Sequence, residues 1–364
     1  MKKNKWKDCL FLSGEDNIGK FFSQKEKSLI ILGKGFDPRT CKALEVLKEN
    51  NVAIEAWLID YNDELIVADV AQNESRSKKN LEFFHELCND IMWESFDVPA
   101  YKKNDGKRTL IISESVRTYF IASKVEAFDN IIVDISAMPR AVGFSIIKRI
   151  IDIKKESQKV YIMVCENSDC DDKIHPVIVE GSAEYLQGFN TFSLIMESDE
   201  DETIWFPILG MNEQEAFNII ADYIKPVEIC PVVPFPSIKV RRSEDILRNY
   251  GQVLFREQDI EKRNVIYVPE NFPLIVYNKL YNTVKYYEKA LNNEQNRNIR
   301  YAFSSQSSKL IDIGILLTIL TLGEDGAKAG IVIVENQGYL LNEEYDRASE
   351  KLYCMCLDDY ELDW

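Results

Sequence analysis

The sequence has few of the residues that build metal centres, and no apolar run as long as a membrane span. Among 364 residues there are two histidines, His85 and His175, so a histidine-based metal site is not expected. The eight cysteines form no Cys-x-x-Cys pair, which disfavours a zinc site and favours reduced, buried thiols. No run reaches the length of about 18 apolar residues that a membrane span needs. We therefore expect a cytoplasmic protein that binds no metal and contacts no membrane.

Positive charge is also scarce. The chain has 44 lysines and arginines against 60 aspartates and glutamates, a formal net charge of −16. A surface of this sign repels phosphate backbones, so non-specific binding of nucleic acid is not expected. A local basic cleft for a small anion is still compatible with this balance. The hydrophobic content of 46% is sufficient for two buried cores in a chain of this length.

The sequence does contain a repeated alternation of apolar runs and amphipathic segments. Runs such as Ser28–Leu32 and Asn130–Asp134 are continuously apolar, which is typical of parallel strands covered by helices on both faces. We therefore predict an α/β fold with two Rossmann-like parallel-sheet units. The predicted N-terminal Rossmann-like domain covers residues 1–168, and the predicted C-terminal Rossmann-like domain covers residues 169–364.

The elements of the two halves follow one another in a similar order. The predicted strands are Ser28–Leu32, Ala53–Ile59, Thr109–Ile112, Asn130–Asp134, Lys159–Val164, Trp205–Leu209, Val227–Val233, Asn264–Val268, Arg300–Phe303 and Ala329–Val334. The predicted helices are Thr40–Asn50, Lys79–Trp93, Ser115–Glu126, Pro139–Lys155, Glu213–Ile224, Ser243–Leu254, Leu274–Leu291 and Ser308–Leu320. The repeated order favours an internal duplication, although any two Rossmann-like units share much of this order by construction.

The turn after the first predicted strand carries the first candidate ligand residues. Gly33 and Gly35 allow the backbone to turn sharply and to approach a ligand closely. Arg39 adds positive charge at the same turn. Asp37 fits either a ligand contact or a helix cap, because Pro38 follows it at a favourable first helical position. The full Gly-x-Gly-x-x-Gly pattern is missing, so the motif does not by itself predict a dinucleotide site.

Two later turns carry hydroxyl and basic residues directly before a helix. Ser136 and the first amides of the following helix suit an anion, and Arg140 offers a forked donor. Ser308 and Lys309 repeat this pattern in the second half. A helix cap with a surface basic residue is the alternative at each turn. Because the carboxyl ends of parallel strands share one edge, we predict a small anionic ligand in a cleft between the units.

The segment Ile131–Phe144 resembles the later ligand turn of CRISPR-associated Rossmann-fold (CARF) sensor domains. In that family, small hydroxyl-bearing residues and a basic residue hold cyclic oligonucleotide second messengers. The resemblance implies that Ser136 and Arg140 contact phosphate groups. It also implies a bacterial nucleotide-binding protein that serves as a sensor or accessory component in antiviral defence.

The segment Ile31–Arg39 is similar to the glycine-rich first loop of class I methyltransferases. Asp60 follows the next strand, where the acidic residue of that family holds the ribose of S-adenosylmethionine. The resemblance implies an alternative function as an S-adenosylmethionine-dependent methyltransferase, so a nucleotide and S-adenosylmethionine are the two candidate cofactors. Asp60 followed by Tyr61 fits a plain turn equally well.

Three further expectations concern catalysis and partners. Glu270 closes the predicted strand Asn264–Val268 and is the candidate general base if the chain is an enzyme. A protein-interaction scaffold is the third functional class, and a protein partner or a homo-oligomer is compatible with the sequence. The acidic segment Leu357–Trp364 fits either a solvated stretch or a partner contact.

Overall fold

The chain forms two compact units. The computed structural model describes residues 6, 9–25, 27–61, 70–87, 93–104, 107–191, 201–291, 298–341 and 346–359. Unit 1 comprises Met1–Val177 and Gln337–Trp364, and unit 2 comprises Ile178–Asn336. The sequence predicts that the second domain covers residues 169–364, whereas residues 337–364 belong to unit 1.

The elements of both units are defined by the described residues. The strands are β1 Cys9–Ser13, β2 Ser28–Gly33, β3 Ile54–Asp60, β4 Trp93–Asp97, β5 Tyr101–Asn104, β6 Lys107–Leu110, β7 Asn130–Asp134, β8 Lys159–Glu166, β9 Ile174–Tyr185, β10 Asp201–Ile208, β11 Glu228–Ile229, β12 Val232–Pro234, β13 Ile266–Val268, β14 Asn298–Ser305, β15 Ala329–Leu341 and β16 Lys351–Asp359. The helices are α1 Glu15–Ser23, α2 Lys42–Glu49, α3 Val70–Leu87, α4 Ile112–Tyr119, α5 Ala122–Val125, α6 Arg140–Ile153, α7 Ser168–Lys173, α8 Gln214–Ile224, α9 Arg242–Gln252, α10 Pro273–Leu291 and α11 Lys309–Glu324.

Unit 1 contains a doubly wound sheet. Within the described residues its strand order is β1-β16-β8-β7-β2-β3-β4. The strands from β8 to β4 are parallel, while β16 runs antiparallel to both β8 and β1. The chain therefore winds outward from β2 in one direction and from β7 in the other. Ligands of doubly wound folds bind beyond the carboxyl ends of the strands at such a switch point.

Unit 2 repeats this topology. The described strands form a sheet in the order β13-β12-β10-β14-β15-β9, and the strands from β13 to β15 are parallel. The switch point lies between β10 and β14. The two sheets confirm the α/β class with two Rossmann-like units. Internal duplication stays a prediction, because the shared strand order is common to doubly wound units.

Continuous apolar sequence accounts for the central strands. Every residue of β2 and of β7 is buried, and each buried leucine or isoleucine contributes roughly 1.5–3 kcal/mol to folding. In β16, alternate residues Leu352, Cys354 and Cys356 pack into the same core as β2. This packing explains why residues 337–364 belong to unit 1.

Some predicted elements have different roles in the structure. The predicted strand Thr109–Ile112 contributes to the hairpin β5–β6, which is separate from the parallel sheet. The predicted strand Val227–Val233 divides into β11 and β12 at Pro231, which has no backbone N–H to donate. The short helix α7, Ser168–Lys173, connects β8 and β9. Of the helices in the described part of the chain, none is long and apolar enough to cross a membrane.

Candidate functional site

The glycine turn after β2 lies at the switch point of unit 1, where the chain's own side chains cover it. A Cβ atom at Gly33 would lie 2.7 Å from Cγ of Met138, and one at Gly35 would lie 2.8 Å from the hydroxyl of Tyr61. The carbonyl of Gly35 accepts a hydrogen bond of 2.8 Å from Nδ2 of Asn80. A side chain at either glycine would therefore require Met138 or Tyr61 to shift.

Tyr61 connects the turns that follow β2 and β7. Its hydroxyl lies against Gly35 and donates to the carbonyl of Ala137 over 3.4 Å. Both Tyr61 and Ala137 are half-buried. The tyrosine side chain thus occupies the space directly above the glycine turn, at the edge where doubly wound folds hold their ligands.

Asp60 provides an accessible carboxylate beside this turn. It is the last residue of β3, and the ammonium group of Lys34 bonds to its Oδ2. The two side chains are 33% and 35% exposed, so a ligand can reach this pair from solvent. The backbone amide of Lys34 donates to the carbonyl of Ile59 over 2.8 Å, which fixes the turn against β3.

Asp37 and Arg39 belong to a buried ionic cluster. Nη2 of Arg39 lies 2.7 Å from Oδ2 of Asp37, and Nη1 lies 2.7 Å from Oδ1 of Asp171 in α7. Asp37 also caps the 3₁₀ turn Pro38–Cys41 through the amide of Arg39. Burial lowers the pKa of Arg39, but the charges of Asp37 and Asp171 outweigh it and leave the pKa well above the usual value. An incoming anion would have to displace two carboxylates from this arginine.

Asp134 is a buried carboxyl group at the end of β7, and it is 2% exposed. Its Oδ1 accepts bonds from the amide and the hydroxyl of Ser136. Its Oδ2 has no hydrogen-bond partner among the described residues. Burial raises the pKa of Asp134 to about 7, against the opposing effect of the Ser136 bonds. This carboxyl group therefore changes its ionisation near neutral pH.

Ser136 links the turn after β7 to the neighbouring strand β8 through a hydrogen bond. Its hydroxyl oxygen accepts a bond of 2.7 Å from the amide of Cys165 in β8, and the residue is 1% exposed. Phosphate contact by Ser136, as predicted from the CARF-like turn, stays a prediction. In this structure the hydroxyl is bonded to protein groups on both sides.

We expect the replacement Asp134→Asn to change how stability depends on pH. The folded state holds the Asp134 proton up to about pH 7, whereas the unfolded carboxyl releases it near pH 3.8. The folded state therefore binds more protons in this window, and the free energy of unfolding falls as pH rises through it, by at most about 1.4 kcal/mol per pH unit. The amide that replaces the carboxyl group does not titrate, so this component of the slope should disappear.

Urea unfolding between pH 4.5 and 8 measures this slope. Asp129→Asn is the matched control, because Asp129 is exposed and precedes the opposite end of the same strand. Plots of the free energy of unfolding against pH should differ in slope between wild type and Asp134→Asn below pH 7. Above pH 7 the two plots should run parallel. Equal slopes in the two proteins throughout the range would contradict a perturbed Asp134.

Helix α6 begins at the same edge of unit 1. Arg140 is its first residue and is half-buried, and the N-cap residue Pro139 provides no side-chain cap to the helix. The first amides of this 14-residue helix, together with the helix dipole, create positive potential at the turn after β7. The structure therefore places Arg140 where the sequence analysis expected a cation.

The serine-rich turn of unit 2 forms mainly local contacts. Ser308 caps α11 by accepting from the amide of Ile311 over 3.4 Å, and Ser304 accepts from Nε1 of Trp205 over 3.0 Å. Lys309 opens α11 and is half-buried. Lys309 belongs to unit 2 and Arg140 to unit 1, so the predicted cleft between the units stays a prediction.

Glu270 supports a loop of unit 2. The residue is 5% exposed, its Oε1 lies 3.3 Å from Nε of Arg242, and its Oε2 accepts from the amide of Ile238 over 3.1 Å. A general base must reach a proton of the substrate, whereas this carboxylate faces an internal guanidinium and a backbone amide. A catalytic role for Glu270 stays a prediction.

Sequence reasoning missed the partners that define these environments. In the sequence, Lys34 is recognisable only as a member of the glycine turn, and Tyr61 only as a turn residue. Their positions beside Gly35 and Asp60 were the available signal. Asn80 and Asp171 gave no signal, since both are far along the chain from the groups they contact. Among the described residues, no group of three or more histidine, cysteine or acidic residues is arranged to hold a metal ion.

Solved structures resemble this chain at sequence identities of 9–11%. No family model and no curated protein matches the chain. Among solved structures it is similar to a putative sarcosine dimethylglycine methyltransferase from Galdieria sulphuraria (10% identity, TM-score 0.27, covering 94% of this chain and 81% of that one). It is also similar to a B. subtilis tRNA methyltransferase (9%, 0.24, 86% and 98%) and to a universal stress protein from Archaeoglobus fulgidus (11%, 0.23, 85% and 96%). TM-scores of this size carry no argument about function.

Proposed function

We propose that unit 1 binds a small ligand containing a nucleoside, at the carboxyl edge of its sheet. The position of Asp60 carries this proposal. In doubly wound folds, an acidic residue at the end of the second strand accepts hydrogen bonds from ribose hydroxyls. Asp60 ends β3, the second strand of the parallel order, and its carboxylate is accessible to solvent.

Lys34 provides a cation for a second part of the ligand. Ribose hydroxyls that bond to Asp60 take the place of the lysine ammonium, which then becomes available for an anionic group of the ligand. The first turn of α6 and Arg140 add positive potential at the neighbouring turn. A ribose with an attached anionic group, as in a nucleotide, satisfies both kinds of contact. The buried Arg39 and Ser136 are not needed for this mode of binding.

A methyltransferase is the second candidate. Asp60 is the residue that the methyltransferase resemblance assigns to the ribose of S-adenosylmethionine, and it lies at the expected strand end. The side chains of Tyr61 and Met138 lie beside Gly33 and Gly35, so a cofactor bound at the glycine turn would require them to move. We therefore derive no methyl-transfer step. A sensor role in antiviral defence stays a prediction of the CARF resemblance.

The replacement Asp60→Asn tests the proposed site. Calorimetric titration of the full chain with ATP, cyclic tetra-adenylate and S-adenosylhomocysteine should identify at least one ligand, and the variant should bind it at least about 10-fold more weakly. The exposed pair with Lys34 adds little to stability, so the melting temperature should stay within about 2 °C. Asp129→Asn, at the opposite end of the sheet, is the control and should bind like the wild type.

The ligand that binds separates the candidate functions. Binding of S-adenosylhomocysteine favours a methyltransferase, while binding of ATP or the cyclic nucleotide favours a nucleotide sensor. If none of the three ligands binds, or if Asp60→Asn binds as tightly as the wild type, the proposal is wrong and the scaffold class gains support.

A further inference from the structure

The ring of Tyr61 lies along the glycine turn of unit 1, on the side to which a Cβ atom would point. A Cβ atom at Gly33 would lie 3.3 Å from Cε1 of Tyr61, and one at Gly35 would lie 2.8 Å from its hydroxyl. The ring therefore spans both glycines. Met138, which also lies beside Gly33, is 1% exposed and belongs to the core, whereas Tyr61 is half-buried. Tyr61 is thus the accessible part of this cover.

Glycines at this turn of a doubly wound fold usually serve a phosphate group. They let the backbone turn tightly and approach a pyrophosphate without a clash at Cβ. In this chain the space beside the missing Cβ atoms holds a tyrosine ring of the protein itself. A ligand with a diphosphate on the turn would compete with this ring for the same space.

The backbone of the turn is fixed by two buried side chains. Nδ2 of Asn80 donates to the carbonyl of Gly35 over 2.8 Å, and Oγ1 of Thr40 donates to the carbonyl of Gly33 over 2.8 Å. Asn80 and Thr40 are 7% and 1% exposed. A diphosphate on this turn therefore requires the Tyr61 side chain to move rather than the backbone.

The helical turn that follows the glycines is already capped by a carboxylate. Phosphates often bind the free amides at the start of the first helix of such folds. Here Oδ1 of Asp37 accepts from the amide of Arg39 over 3.0 Å, and Asp37 is 6% exposed. A phosphate that reached this amide would have to replace the carboxylate. The tyrosine ring and the aspartate cap thus both act against an extended chain of phosphates.

Lys34 leaves room for one phosphate beside the ribose. This lysine lies between the two glycines, its ammonium bonds to Oδ2 of Asp60, and its side chain is 35% exposed. A ribose bound to Asp60 brings its own phosphate next to this ammonium. A second phosphate continues along the turn and meets the ring of Tyr61.

We propose that Tyr61 is a specificity-determining residue that restricts the nucleoside ligand of unit 1 to a single phosphate on each ribose. This inference rests on the proposed site at Asp60. AMP and cyclic oligonucleotides have one phosphate for each ribose and leave the ring in place. ADP carries one phosphate more, and binding of that phosphate on the turn displaces the ring.

Calorimetric titration of the full chain with AMP and with ADP, in buffer without divalent cations, tests the restriction. The wild type should bind AMP at least about 10-fold more tightly than ADP. Tyr61→Ala should bring the two affinities within about threefold, mainly by strengthening the binding of ADP. Tyr61→Phe is the matched control, because it keeps the ring and removes only the hydroxyl that bonds to Ala137. It should retain the wild-type preference.

The ratio of the two affinities is measured within one folded variant, so a change in stability does not imitate the expected effect. An unchanged ratio in Tyr61→Ala, or a wild type that binds ADP as tightly as AMP, would overturn the role of Tyr61. If Asp60→Asn still weakens AMP binding in that case, the proposed site is retained. Binding of S-adenosylhomocysteine alone, dependent on Asp60, would likewise overturn only the restriction to one phosphate. Absence of any ligand whose binding depends on Asp60 would overturn both proposals.

Discussion

Replacing Gly210 with alanine should destabilise unit 2 by about 3 kcal/mol or more. Gly210 follows β10 at the switch point of unit 2, and a Cβ atom there would lie 1.6 Å from the carbonyl oxygen of Gln306. The atom in the way belongs to the backbone, so a change of side-chain rotamer cannot relieve the overlap. The amide of Gln306 donates to Ile208 over 3.0 Å, and separating the turns would weaken this bond.

Gly251→Ala is the matched control in the same unit. Gly251 lies within α9, and a Cβ atom there would meet no atom within 4 Å. Alanine favours a helix over glycine by up to about 1 kcal/mol, so this variant should be as stable as the wild type or more stable. Urea unfolding gives the free energies, and amide hydrogen exchange in β10 and β14 locates the effect. Equal stability of Gly210→Ala and wild type would contradict the close approach of the two turns.

The sequence predicts the sheets better than it predicts the contacts at their edges. Continuous apolar runs and the regular alternation with helices were enough to locate β2, β3, β7 and β8. Strand β16 was not among the predicted strands, although Leu352–Leu357 is an apolar run. Its antiparallel pairing with the distant β8 could not be predicted, because a pattern of neighbouring residues does not show which segments pair.

In the candidate site, the sequence likewise predicts which residues lie at the edge of the sheet but not which of them are in contact. Gly33, Asp60 and Arg140 were expected at one edge, because the carboxyl ends of parallel strands lie together, and the structure places them there. The sequence could not show that Tyr61 and Met138 cover the glycine turn. Which atoms meet across neighbouring turns depends on side-chain packing, which strand order alone does not determine.

Arg39→Ala should lower the free energy of unfolding by about 3–5 kcal/mol, because it leaves two buried or partly buried carboxylates without their cation. Arg39 and Asp37 have side chains only 6% and 8% exposed, while Asp171 is 26% exposed. The guanidinium also joins the turn after β2 to helix α7 after β8. Its loss should therefore loosen the carboxyl edge of unit 1 as well as lower the overall stability.

Two comparisons show whether this role is structural. Lys148→Ala removes the cation of a more exposed pair on α6, with Asp152 at 2.9 Å, and should cost less than about 1 kcal/mol. Calorimetric titration at a temperature where Arg39→Ala is still folded should give the same ligand affinity as the wild type, within about threefold, because the proposed ligand contacts Asp60 and Lys34. A large loss of affinity with unchanged stability would instead assign Arg39 to the ligand, as the sequence had suggested, and would contradict its role in the buried cluster.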